Sequence, residues 1–114
     1  MTTSLYLNAL GIVSALGVGK AATHRNLIAG DQSNVIRSDR WTPGAYEVLG
    51  VIPSPLPELP TDDVRFQSRN NQVLYQAALE IDADIKAAID TYGAHRVAVI
   101  MGSSTSGIAE SEEA

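Results

Sequence analysis

The sequence contains no cysteine. That excludes disulfides, thiolate metal sites and a cysteine nucleophile among these 114 residues. Histidine is nearly as scarce. His24 and His95 are the only two, and no His/Glu pair has zinc-ligand spacing, so no metal is expected. No apolar run approaches the roughly 20 residues that span a bilayer. The N-terminus lacks a basic stretch leading into an apolar one, so no signal peptide is evident and a cytoplasmic protein without a membrane partner is expected. Basic charge is also in deficit. Eight Lys and Arg stand against 13 Asp and Glu, a net charge of −5, which argues against nucleic acid as a partner because phosphate binding wants a basic face.

What is present suits a globular α/β protein. The hydrophobic fraction is 45% and the charged fraction 18%, which argues against disorder. Residues 5–13 read as a buried strand ending at Ser14. Residues 20–29 read as a short helix that opens after Gly19 and stops at Gly30, where glycine tolerates positive φ. From 31 to 64 lies an irregular, Pro-rich excursion. Pro53, Pro55, Pro57 and Pro60 each lack a backbone donor and keep this stretch out of a central strand, although residues 48–52 suit a short one. The strongest helical signal spans 68–92. There Leu74, Ala77, Ala78, Ile81, Ile85, Ala88 and Ile89 share one face, Ser68 serves as N-cap, Asp82 and Lys86 form an i,i+4 pair, and Gly93 ends the helix. Residues 96–101 then form a continuously apolar strand of the kind buried on both faces. A further helix would open at Thr105 or Ser106 and run through Glu113. The order is strand, helix, excursion, long helix, strand, start of helix. It predicts an α/β fold with a parallel sheet and covering helices.

Two Gly/Ser segments punctuate this order. Gly17-Val18-Gly19-Lys20-Ala21-Ala22 matches G-x-G-x-x-G/A, the loop that lets a backbone approach a pyrophosphate. Three residues separate its first glycine from the end of the strand, and no second strand ending in an acid follows cleanly. A tight strand-to-helix turn accounts for the glycines better. Gly102-Ser103-Ser104-Thr105-Ser106-Gly107 lacks the Gly-Lys-Ser/Thr of a P-loop. It also places Ser106 where a nucleophile elbow needs glycine, and no base is spaced to serve a serine. His24 is expected on the exposed side of its helix and His95 in a solvated loop. Trp41 and Phe66 are expected to anchor loops. Arg65, Arg69, Asn70 and Asn71 form a polar cluster at the start of the long helix, with a solvated first turn as the plain explanation and a partner surface as the functional one.

Taken in order, these motifs resemble the N-terminal part of a β-ketoacyl-acyl-carrier-protein synthase, of the thiolase-like condensing enzymes. Gly11-Ile12-Val13-Ser14-Ala15-Leu16-Gly17 resembles that family's first strand and turn. Asn26-Leu27-Ile28-Ala29-Gly30, followed by Ser33, resembles its first helix and the turn after it. Residues 68–92 and the segment Arg96 to Gly107 resemble its next helix, strand and Gly/Ser loop. The chain departs from the pattern where Asp31 and Gln32 intervene before Ser33. Asn34 also stands where the family usually has glycine, although Asn tolerates a left-handed backbone.

The resemblance implies an incomplete N-terminal part of a thiolase-like fold. It implies an acyltransferase that performs a decarboxylative Claisen condensation of acyl and malonyl-carrier protein thioesters, in fatty acid, polyketide or polyene synthesis. In the family a cysteine, two histidines (or His and Asn), a lysine and a glutamate do the chemistry. All lie beyond the matching part, so no catalytic residue and no cofactor is assigned here, and the chain alone is expected to be inactive. One position carries over. Thr105 matches the residue whose bulk limits acyl length, with Ser104 and Ser106 as its neighbours in substrate binding. Implied partners are acyl carrier protein, the remainder of the synthase, and a second subunit in a homodimer or a synthase/chain-length-factor heterodimer. A non-catalytic chain-length-factor-like subunit and a small nucleotide-binding α/β module are the other readings. Two strong strands with one weak candidate leave apolar edges uncovered, so the isolated chain is expected to aggregate or to need the rest of the fold.

Overall fold

The computed structural model describes residues 3–52 and 55–104. Among these residues the chain is a small α/β protein with three helices and two small antiparallel sheets. The backbone divides into two compact units. One is Gly11–Pro55 and the other joins Met1–Leu10 to Leu56–Ala114.

The 11–55 unit begins with a tight hairpin. β1 (Val13–Ser14) pairs with β2 (Gly17–Val18) across Ala15 and Leu16. Gly19 follows at φ 84°, and α1 (Lys20–Ala29) starts from it. The helix ends as the glycine predicts. Gly30 is left-handed at φ 63°, its N–H donates to Leu27 O at 3.2 Å, and Asp31 N–H donates to Asn26 O at 2.9 Å. This pair of bonds is a Schellman motif, which satisfies carbonyls the helix would otherwise leave orphaned. β3 (Val35–Ser38) and β4 (Glu47–Gly50) then form a second hairpin, in register from Val35 opposite Gly50 to Ser38 opposite Glu47. The 31–64 stretch is therefore more regular than its composition predicts. Pro53, Pro55, Pro57 and Pro60 follow β4 in sequence, and Pro43 lies in the loop between β3 and β4, so none interrupts the ladder.

In the other unit, α2 (Arg69–Leu79) and α3 (Asp82–Tyr92) replace the single helix expected over 68–92. Both predicted ends hold. Ser68 Oγ accepts from Asn71 N–H at 3.2 Å, and Gly93 closes α3. The break lies at Glu80 and Ile81, whose N–H groups reach back three residues, to Ala77 O and Ala78 O, instead of four. Ile81 leaves helical geometry at φ −121°, ψ 12°. Two features favour a new start here. Asp82 and Asp84 fall in the first turn of α3, where carboxylates oppose the positive helix end. Ile81 is β-branched and stiff at χ1. The apolar spacing continues across the break, so periodicity alone does not register it.

The expected parallel sheet is not formed among the described residues. Of residues 5–13 only Val13 enters a strand, and it pairs antiparallel with its own hairpin. Arg96 ends a 3-10 turn, Ala94–Arg96, and residues 97–101 join no ladder. A strand is stable only when its backbone groups find partners, and both segments lack one. Their side chains show it. Leu5 is 92% exposed, Leu7 102%, Val99 82% and Ile100 94%. No hydrophobic side chain among the described residues is buried; the buried positions are Gly17 and Gly19. The helix expected from Thr105 or Ser106 through Glu113 lies outside the described residues. With no buried hydrophobic side chain among the described residues to hold α2, its cap matters more than usual. Ser68→Ala should cost about 1 kcal/mol of helix stability, read as a lower midpoint in thermal unfolding followed by far-ultraviolet circular dichroism. An unchanged midpoint would show that the cap contributes nothing.

Candidate functional site

The residues singled out for acyl contact sit at the edge of what the structure describes. Ser104 is exposed. Thr105 and Ser106 lie outside the described residues.

The first Gly/Ser segment is built in detail. Ser14 Oγ accepts from Leu16 N–H at 3.1 Å, closing the turn on itself. Two asparagine amides then take the next two carbonyls. Asn34 Nδ2 donates to Ala15 O at 2.8 Å, and Asn26 Nδ2 donates to Leu16 O at 2.8 Å. One donor comes from α1 and the other from the approach to β3, so the turn ties two elements distant in sequence. Gly19 N–H donates to Ile12 O at 2.9 Å, and Val51 N–H donates to Asn34 O at 2.8 Å.

Glycine is required in two of these places. Gly17 is at φ 120°, and a Cβ there would stand 3.1 Å from Ala22 Cβ. At Gly50 a Cβ would stand 2.8 Å from Ala15 Cβ. Gly17 and Gly19 thus serve a close turn, and the Gly19 N–H is turned inward to protein. The expectation for Asn34 needs correcting. Among the described residues none other than glycine has positive φ. Asn34 is used for its side-chain donor rather than for a left-handed backbone, a role that glycine at this position would not fill. Sequence reasoning missed both asparagines. The signal was thin: two Asn near a strand-turn-helix junction, with no spacing rule to connect them.

A second feature lies on α2. Leu59, Pro60, Phe66, Leu74, Tyr75 and Ala78 line an open, largely apolar groove of about 350 Å³. Phe66, expected to anchor a loop, lines this groove while staying 51% exposed. Asn71 of the polar cluster, and Gln72 next to it, bond to preceding loops. Asn71 Nδ2 donates to Phe66 O at 2.9 Å, and Gln72 Nε2 donates to Pro57 O at 3.3 Å. Arg65 is held by Asp63, with Nη2 to Oδ2 at 2.5 Å. Trp41 is 60% exposed, with the Arg40 guanidinium 5.3 Å from its ring. His24 and His95 are exposed, as expected. The His95 ring folds over Gly93, where a Cβ would come 2.8 Å from Cε1.

The electrostatics are local and solvent-exposed. Hydrogen bonds from Ser33, backbone first and hydroxyl second, hold the Asp31 carboxyl below its usual range. The Arg65 guanidinium and then its backbone N–H do the same for Asp63. The Asp82 carboxylate, 2.6 Å from Lys86 Nζ, raises that ammonium. Among the described residues no cluster of three or more His, Asp or Glu is placed to hold a metal ion, and no helix is long and apolar enough to cross a membrane. Comparison with known proteins finds no matching family model, no similar curated protein and no similar solved structure.

Two measurements probe these contacts. Asn34→Ala removes a donor and should lower the urea midpoint by the equivalent of about 1 kcal/mol, followed through Trp41 fluorescence. Asn34→Asp, which sets a carboxylate against the Ala15 carbonyl, should be worse. Equal stability of all three proteins would remove the turn from its organising role. The pH dependence has a definite sign. Asp31 and Asp63 have folded values below their unfolded ones, so their stabilising effect is complete above the unfolded carboxylate value near 4 and fades as pH falls through the lowered folded values. Backbone amide shifts at Ser33 and Arg65 should move only below that range. Movement at higher pH would contradict the assignment.

Proposed function

We propose that the chain is part of a β-ketoacyl-acyl-carrier-protein synthase of the thiolase-like condensing enzymes. The observation that carries this reading is the pair of exposed apolar segments, residues 5–10 and 97–101. Each has strand composition, and neither has a ladder partner among the described residues. A larger α/β fold supplies what they lack, namely neighbouring strands and covering helices. The turn that links β1 and β2 to α1 supports the same reading, since its glycines make a close turn rather than a phosphate loop.

On this reading the 114 residues contribute scaffold and one wall of an acyl pocket. The reaction joins an acyl group, carried as a thioester on an enzyme cysteine, to the carbanion left when malonyl-carrier protein loses carbon dioxide. The carbanion attacks the thioester carbonyl, a C–C bond forms, and the cysteine thiolate leaves. The chain holds no cysteine, so that thiolate must come from outside these residues. Acyl carrier protein is the partner that delivers both substrates, and a second synthase or chain-length-factor-like subunit completes the dimer. Ser104, Thr105 and Ser106 are the residues placed near the acyl chain, with Thr105 limiting its length.

The test is the reading frame and its product. The gene read beyond codon 114 should encode a further strand followed by a cysteine at a helix N-terminus. Expressed whole, it should release carbon dioxide from malonyl-carrier protein, while residues 1–114 alone should not. Thr105→Phe in that enzyme should shorten its products. Unchanged product lengths would sink the Thr105 assignment. A continuous frame without cysteine would favour the chain-length-factor-like subunit. A frame encoding neither would remove the family reading.

A further inference from the structure

We draw no further inference here: the strongest candidate, the open apolar groove that Leu59, Pro60, Phe66, Leu74, Tyr75 and Ala78 line beside α2, carries nothing because nothing in the structure shows what covers it.

Discussion

The two side-chain amides that hold the Ala15 and Leu16 carbonyls organise residues 11–55. Asn26 reaches them from α1, and Asn34 reaches them from the start of β3. No hydrophobic side chain is buried among the described residues, so burial does not set this arrangement. Directional bonds do. A turn carbonyl left unpaired on a part-buried surface costs more than a typical bond contributes, which gives each amide leverage beyond its own strength. Gly17 and Gly50 keep the approach open, because a Cβ at either would press on an alanine across the contact.

The residues from 56 onward depend on caps and local pairs. Asp63 and Ser68 begin their turns, Gly93 ends α3, and Asp82 with Lys86 ties one turn of α3. Such interactions fix local geometry and contribute little to global stability, since exposed ion pairs are screened by water. The apolar surface of α2, its groove and residues 97–101 remain open to solvent.

Local structure was legible in the sequence wherever one residue type dictates backbone geometry. Gly30 and Gly93 mark helix ends, Ser68 marks a start, and 20–29 is helical as its flanking glycines indicate. Non-local structure was not legible. The apolar run 97–101, entered from Arg96, suggests a strand, yet a strand exists only with a partner, and composition says nothing of whether the partner is at hand. The break at Ile81 was hidden because the apolar spacing continues across it. The β3 strand was obscured by the prolines that follow its partner, and its register comes from contacts no local rule specifies. Of the site, the glycines announced the turn. The asparagines that secure it did not announce themselves, because a side-chain amide finds its carbonyl through the fold and not through spacing. Thr105 and Ser106, read from resemblance alone, lie beyond the described residues.

Amide hydrogen exchange tests the central claim most directly. If polar side-chain bonds to the hairpin turn organise residues 11–55, the slowest amides of that unit should include Gly19 and Val51. Their N–H groups donate to Ile12 O and Asn34 O across the junction. They should exchange more slowly than the amides of Trp41, Thr42 and Gly44 at the tip of the second hairpin. Gly19 and Val51 amides exchanging as fast as that tip would contradict the account.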